Sequence, residues 1–230
     1  MSESLPVRER IFREIVNQAN SNNLEQMREY QLLLEYRSLQ SYAPQGVYVL
    51  PKIQDVHTWF GILFIKKGHY RGAILKFRIE LPQDYPNSGP QAYFSPHVFH
   101  PLINYETGQV NLSPRFPVWR PRKDFIFLVL DYLKKIFYTH NLWSDSRYAL
   151  NQRAHELFTQ DEEQFQKEVY VTVSESASSL SENPAESPIK FVQYNSFHQK
   201  VLDQIKNRDP DATESDQCEN FMKWFKKTFI

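Results

Sequence analysis

Cysteine is almost absent from this chain, since Cys218 is the only one among 230 residues. A single thiol excludes an internal disulfide, and the chain has no paired cysteine spacing of the kind that binds zinc. Chains of this type are typical of a reducing compartment, so we expect a cytoplasmic protein. The histidines show no ligand spacing with one another either, and we predict neither a metal site nor a cofactor.

Net charge and long apolar runs are also missing. Lysine plus arginine and aspartate plus glutamate number 27 each, which leaves no global field to attract nucleic acid or an acidic membrane. No stretch of about 18 apolar residues could span a bilayer, and the charged N-terminus does not resemble a signal peptide. We therefore expect protein partners, no nucleic acid and no transmembrane segment, with any membrane association being peripheral and through a complex.

Glycine is scarce, at 6 positions, whereas aromatic residues make up 15% of the chain, and this composition favours a packed core over disorder. Helical periodicity extends over residues 6–42, is interrupted at Ser21-Asn22-Asn23 and ends at Ala43-Pro44. The interruption predicts an N-terminal helical extension, residues 1–27, ahead of a domain that covers residues 28–173.

From Gly46 the periodicity changes to that of strands. Three segments rich in aromatic and β-branched residues are separated by turn residues, and a short fourth segment follows a proline-rich loop. They are GVYVLP, HTWFGILFIKKGHY, RGAILKFRIELP and QAYFSP. Amphipathic helices are then predicted over residues 124–138 and 151–170, with Asn151 as an N-cap. This order indicates an α+β fold in which helices pack on a four-stranded antiparallel meander.

The composition changes at Ser174. From there to residue 220 the chain is rich in serine and acidic residues, and the segment SESASSLSENPAESP buries too little apolar area to offset the entropy of ordering. We interpret residues 174–220 as a flexible linker. The aromatic and basic segment FMKWFKKTFI, residues 221–230, follows it and is compatible with docking in a partner's groove, with folding back on its own domain, and less readily with a membrane surface. Its partner-binding candidates are Phe221, Trp224 and Phe225.

The main motif lies in the stretch QAYFSPHVFHPLINYETGQVNL. It contains Phe94, Phe99, His100 and Pro101, it follows a Tyr85-Pro86-x-x-x-Pro90 loop, and it precedes Trp119. This order and spacing resemble the signature of the ubiquitin-conjugating enzyme fold. The resemblance implies the same order of helix, four strands, loop and helices that the periodicity predicts.

In that family an asparagine that supports the oxyanion follows the His-Pro dipeptide, and a catalytic cysteine lies shortly after the glycine. The corresponding residues here are Leu102 and Asn111. Thioester transfer needs a thiolate as nucleophile and leaving group, and an asparagine amide cannot replace it. Cys218 lies far along the chain in an acidic segment that disfavours a thiolate. We therefore predict a non-enzyme with a degenerate site formed by His100, Pro101, Leu102 and Asn111.

His100 is predicted to be structural. It has no nucleophile or carboxylate partner in its local sequence, which argues against a role as a base. We expect one ring nitrogen to donate to a backbone carbonyl while the ring packs beside Phe99 and Pro101.

Several segments narrow the resemblance to one subfamily. GVYVLP, ILKFRIELPQDYP and HVFHPLINYETG resemble the Akt-interacting protein (fused toes, FTS) group of catalytically inactive variants. That resemblance implies an adaptor that binds Hook-type coiled coils together with an FHIP-type protein and links endosomal cargo to dynein-driven transport on microtubules, with a kinase of the Akt class as a further partner. Two alternatives stay open: a ubiquitin-binding or conjugation-assisting variant that pairs with an active enzyme, and a conjugating enzyme that uses Cys218.

A basic cluster surrounds Trp119. Its members are Arg115, Arg120, Arg122 and Lys123. Such a cluster could receive an acidic partner helix with the tryptophan as its apolar anchor. The alternative interpretation is a solvated face around a core tryptophan.

Overall fold

A computed structural model describes residues 24–52, 55–95, 97–182, 186–191, 196, 199–200 and 203. The chain divides into two compact units, residues 1–190 and 191–230, and all elements named below lie in the first. In chain order they are α1 (Leu24–Tyr42), β1 (Val47–Lys52), β2 (Asp55–Phe64), β3 (Ile74–Glu80), β4 (Gln91–Phe94), α2 (Ile126–Lys135), α3 (His140–Trp143), a 3₁₀ turn (Ser146–Tyr148), α4 (Gln152–Gln160), α5 (Glu162–Ser178) and a final 3₁₀ turn (Ser179–Ser181).

The four strands form one antiparallel sheet in the order β1-β2-β3-β4, which confirms the predicted meander. Side chains alternate between its two faces because the strand period is two residues. One face carries the fully buried Trp59, Leu63 and Ile79. This inner face forms the floor of the hydrophobic core.

Two helices cover the inner face. Helix α1 buries Leu32, Glu35 and Leu39 at the spacing of one helical face, and its Tyr36 meets Trp59 of β2 edge to face with ring centroids 5.6 Å apart. Helix α2 adds a second apolar face, which consists of Ile126, Val129, Leu130 and Leu133. Helices packed on an antiparallel sheet confirm the predicted α+β class.

The helix boundaries differ from the predicted ones in two places. The helix predicted from residue 124 begins at Ile126, because the Asp124 carboxylate accepts hydrogen bonds from Arg120 in the preceding turn. The helix predicted over residues 151–170 is two helices, since Asp161 ends α4 and its side chain caps α5 by accepting from the Gln164 N–H at 3.0 Å. Asn151 is the N-cap of α4, as predicted, and accepts from the Ala154 N–H.

The flexible linker does not begin at Ser174, because α5 continues to Ser178. Its last turns lie along the sheet, where the Ser176 hydroxyl accepts a hydrogen bond from the Ile74 N–H at 3.2 Å. The Lys76 ammonium group donates to the carbonyls of Ser179, Leu180 and Glu182 at 3.2, 2.8 and 2.6 Å. Polar contacts with the sheet therefore order a segment whose composition suggests disorder.

Helix α1 extends across the predicted start of the domain at residue 28. Helix α1 begins at Leu24, directly after the Ser-Asn-Asn interruption, so the predicted division after residue 27 falls inside a continuous helix. Residues 1–23 of the predicted extension, and nearly all of residues 192–230, lie outside the described residues. Within the described part of the chain, no helix combines the length and the apolar character needed to cross a bilayer.

Candidate functional site

The loop from His100 to Leu112 folds as an irregular hairpin against β4. Isolated bridges join Ile103 to Val110 and Tyr93 to Gln109, and the Phe94 N–H donates to the Gly108 carbonyl at 2.8 Å. Gly108 has φ +74°, and a Cβ atom at this position would overlap the Phe94 carbonyl. Glycine is therefore required both by the backbone angle and by the close approach of β4.

The imidazole of His100 is completely buried and carries two backbone hydrogen bonds. Its Nδ1 accepts from the Leu102 N–H at 3.0 Å, so Nε2 carries the proton and donates to the Ile136 carbonyl at 3.2 Å. This donor bond is the one predicted from the sequence. Burial lowers the pKa of His100 to about 3, and the imidazole is neutral at physiological pH.

Aromatic rings enclose His100. The ring centroids of Phe137 and Trp143 lie 5.0 and 5.2 Å from that of the imidazole, and that of Tyr70 lies at 5.6 Å. The Trp143 indole N–H also donates to the Ile136 carbonyl, at 2.6 Å. His100 thus fixes the start of the loop to the C-terminal end of α2.

Pro101 and Leu102 contribute backbone groups and apolar volume to the loop. The Pro101 carbonyl accepts from the N–H groups of Leu150 and Asn151 at 2.9 and 3.0 Å. The Leu102 side chain has 0% exposure, and its carbonyl accepts from the Asn111 N–H at 2.9 Å. A buried hydrocarbon at this position offers no hydrogen-bond donor to a reacting oxygen.

Asn111 uses both ends of its amide within the protein. Its Nδ2 donates to the Tyr148 carbonyl at 2.9 Å, and its Oδ1 accepts from the Ser113 N–H and hydroxyl at 3.0 and 2.6 Å. The Tyr132 hydroxyl donates to the Asn111 carbonyl at 2.7 Å. These bonds connect the loop to α2 and to the turn before α4, so Asn111 is a structural crosslink between three parts of the domain.

One member of the predicted basic cluster is bound to an acidic residue of its own domain. Arg115, Arg120, Arg122 and Lys123 are all exposed, and the Arg120 guanidinium binds the carboxylate of Asp124 through Nε and Nη2 at 3.0 and 2.8 Å. Burial raises the pKa of Asp124, but the hydrogen bonds from Arg120 outweigh it and hold this pKa below its usual value. Arg120 therefore neutralises a nearly fully buried carboxylate of its own domain.

Trp119 packs inside its own domain. Its indole N–H donates to the Pro86 carbonyl at 2.9 Å, and its ring lies 5.6 Å from Phe116 and 6.0 Å from Tyr85. A Cβ atom at Gly89 would lie 3.0 Å from the indole, so glycine makes room for the ring. These contacts favour the alternative of a core tryptophan, and partner binding by the cluster stays a prediction.

Comparison with known proteins identifies the family. The profile of the family described as ubiquitin-conjugating enzyme matches residues 28–173. The chain belongs to the ubiquitin-conjugating enzyme family. Among curated relatives, the "Protein AKTIP homolog" of Nematostella vectensis is 33% identical over 86% of this chain and 68% of that protein. The "Protein crossbronx homolog" of Anopheles gambiae is 30% identical over 92% of this chain and 96% of that protein.

A mammalian relative is named for its interaction with AKT. The "AKT-interacting protein" of Rattus norvegicus is 28% identical over 84% of this chain, and the match spans 65% of the rat protein, slightly less than two thirds of its length. The names of these relatives confirm the Akt-interacting protein subfamily that the sequence motifs predict.

Other predicted site residues cannot be placed. Phe221, Trp224, Phe225 and the single thiol, Cys218, lie outside the described residues of this family member. Among the described residues, no group of three or more His, Cys, Asp and Glu side chains could hold a metal ion.

Glu35, a buried carboxyl group on α1, was not predicted from the sequence. Its Oε1 accepts from the Tyr85 hydroxyl at 2.7 Å and its Oε2 from the Ile126 N–H at 2.9 Å, so it caps the N-terminus of α2 from another helix. Burial raises the pKa of Glu35 to about 7. The sequence feature that could have indicated a buried carboxyl group is the position of Glu35 on the same helical face as Leu32 and Leu39.

Proposed function

We propose that this chain is a non-catalytic adaptor built on the ubiquitin-conjugating enzyme fold. The observation that carries the proposal is the set of hydrogen bonds of Asn111, whose amide nitrogen and amide oxygen both bond to groups within the domain. The motif spacing assigns this position to the catalytic cysteine of the family. Because the side chain at this position only holds the domain together, we infer that the protein acts through its folded surface and not through catalysis.

The chemistry of thioester transfer supports the same proposal. The reaction needs a sulfur nucleophile and a donor that stabilises the oxyanion, and the loop supplies neither at Asn111 and Leu102. The neutral His100 has both ring nitrogens committed to backbone groups and offers no free base. What the loop retains is rigidity, which suits a surface that presents fixed side chains to a partner.

The finer proposal is a place in an FTS/Hook/FHIP-type complex for dynein-linked endosomal vesicle transport, in the cytoplasm. It is supported by the subfamily relationship, and the rat relative's name, which states an interaction with AKT, supports only the kinase partner. The partners would be a Hook-type coiled coil and an FHIP-type protein, with a kinase of the Akt class as a third.

A ubiquitin-charging assay tests the absence of catalysis. The full-length chain is incubated with activating enzyme, ATP and ubiquitin, and adducts are separated with and without reducing agent. We expect no reducible adduct from the wild type. We expect Asn111→Cys at most to accept ubiquitin without discharging it to lysine, because Leu102 supplies no oxyanion donor.

Cys218→Ser provides the matched control. A reducible adduct on the wild type that disappears in Cys218→Ser would establish the enzyme alternative and refute the adaptor proposal. Rapid discharge by Asn111→Cys alone would refute the role assigned to Leu102. Thermal melts of both variants check that each is folded.

A further inference from the structure

A basic turn joins β2 to β3. Its sequence KKGHYRG, residues 66–72, contains three cationic side chains, one histidine and no acidic residue. The Arg71 N–H donates to the Gly68 carbonyl at 3.1 Å, which closes the turn. In its middle the buried Tyr70 hydroxyl donates to the Phe99 carbonyl at 2.6 Å. The turn is therefore fixed to the rest of the domain through its central residue.

An open cavity of about 550 Å³ lies beside the basic turn. Its walls are formed by the turn, by α3 and by α5. The groups that line it include His69 and Arg71 of the turn, His140 of α3, and Gln166 and Tyr170 of α5. A cavity of this size accommodates a small anionic group together with part of the molecule that carries it.

Aromatic packing holds the two histidines of the cavity side by side. The ring centroids of His69 and His140 lie 5.0 Å apart. The indole of Trp143 packs against both, at 5.6 Å from His69 and 4.4 Å from His140, and the ring of Phe158 lies at 6.5 and 5.9 Å from them. The spacing of the pair is therefore set by the hydrophobic core and does not need a ligand.

Positive charge is in excess around the cavity. Among the described residues, no carboxylate is bonded to any of the three cations of the basic turn. The acidic group that acts on His69 is Glu162, in the first turn of α5. Burial and then the charge of His140 lower the pKa of His69. An anion bound between the two rings would oppose this effect, because it favours their protonated forms.

A phosphate monoester matches this cavity in charge and in hydrogen-bonding capacity. It carries a charge of about −1.5 to −2 near neutral pH and three strong acceptor oxygens. A guanidinium binds phosphate through two parallel N–H bonds, and each protonated imidazole adds a donor. A carboxylate has one charge and two oxygens, so it would leave part of this donor set unused.

We propose that the cavity is a binding site for a phosphate monoester, which His69, Arg71 and His140 hold together. The monoester belongs either to a phosphorylated side chain of a partner protein or to a small metabolite, and the contacts of the phosphate are the same in both. None of the residues that line the cavity belongs to the His100 to Leu112 loop. The site does not depend on the adaptor function proposed above.

NMR titration of the histidine rings in the full-length chain tests the site. The probes are inorganic phosphate, glucose 6-phosphate and the end-blocked peptide Ala-Ala-pSer-Ala-Ala, each added at about pH 6.5, where about half of the unperturbed histidines are protonated. We expect saturable shifts of the His69 and His140 signals, and a rise of about one unit in both pKa values at saturation. Tighter binding of the peptide assigns the phosphate to a protein, and tighter binding of the sugar phosphate assigns it to a metabolite.

Three variants and one internal signal provide the controls. Arg71→Gln and His140→Gln should each weaken binding of the tighter probe about tenfold, because each removes a charged donor. Arg37→Gln removes the same charge from an exposed position of α1 and should leave the Kd unchanged.

Thermal melts check that each variant is folded, and the exposed His97 reports non-specific effects in the same spectra. The proposal is overturned if no probe gives a saturable shift, if the His97 signal shifts in parallel with those of the pair, or if Arg37→Gln weakens binding as much as Arg71→Gln.

Discussion

At the scale of single residues, two buried titratable groups have opposite effects on stability as the pH changes. Burial raises the pKa of Glu35 from 4.5 to about 7, so between these values the folded protein keeps a proton that the unfolded chain has lost. Glu35 therefore makes the free energy of unfolding fall as the pH rises through this range. His100, whose pKa is lowered from 6.5 to about 3, makes it fall as the pH drops below 6.5.

The variant Glu35→Gln isolates the first of these effects. Its amide oxygen can still accept from the Ile126 N–H, but the group no longer titrates. The difference in free energy of unfolding between variant and wild type should be constant below pH 4.5 and increase in favour of the variant up to about pH 7. The increase is at most about 3 kcal/mol, at 1.36 kcal/mol per pKa unit.

Urea titrations at a series of pH values measure that difference. Glu29→Gln supplies the control, because it makes the same substitution at an exposed position of the same helix. A pH-independent difference for Glu35→Gln would mean that the carboxyl group is ionised in the folded protein throughout this range.

At the scale of elements, the C-terminal helices begin where side chains satisfy their first N–H groups. Asn151 and Asp161 each accept from the N–H three residues later, at 3.0 Å. Asn151 also forms a second hydrogen bond, in which its own N–H donates to the Pro101 carbonyl. The start of α4 and the His100 to Leu112 loop are thus joined by one residue.

The hydrogen bond from the Ala154 N–H to the Asn151 side chain can be removed without removing the backbone bond to Pro101. Asn151→Ala loses the capping oxygen and keeps the backbone bond to Pro101, so we expect a loss of about 1 kcal/mol in the free energy of unfolding. Asn151→Ser retains an acceptor and should lose only a few tenths of that amount. Chemical denaturation of the two variants makes the measurement, and equal stability of Ala and Ser variants would contradict the capping role.

At the scale of the whole molecule, the balance of 27 cationic and 27 anionic side chains leaves no net charge to steer a partner. The basic cluster does not replace such steering by itself, because Arg120 is bound to Asp124 and Trp119 to Pro86. Association with a partner should therefore depend mainly on apolar and hydrogen-bonded contacts.

Binding of the full-length chain to a Hook-type C-terminal coiled coil tests this expectation. We predict that the coiled coil is captured and that the Kd changes by no more than about threefold between about 50 and about 300 mM salt. Lys123→Glu should leave the Kd within the same range. Failure to capture any Hook-type coiled coil would count against the trafficking role, whereas a steep salt dependence that Lys123→Glu abolishes would make the basic cluster the docking surface.

The sequence by itself determined the features that depend on neighbouring residues. Segments rich in aromatic and β-branched residues between turn residues specified four strands, a helical period specified α2, and Asn151 before an apolar stripe specified a cap. The order of Tyr85, His100, Pro101 and Trp119 was sufficient to identify the family. Each of these signals is contained in a short window or in a simple order along the chain.

Only the tertiary structure decided the features that depend on contacts between distant residues. The end of α5 is held by Lys76, about a hundred positions earlier in the chain, and Glu186 is held by Lys52. Glu35 is buried because Tyr85 and Ile126 satisfy its two oxygens, and Trp119 is used internally because Pro86 lies beside it. Composition could not show these outcomes, since a polar segment becomes ordered only when a remote part of the fold supplies its hydrogen bonds.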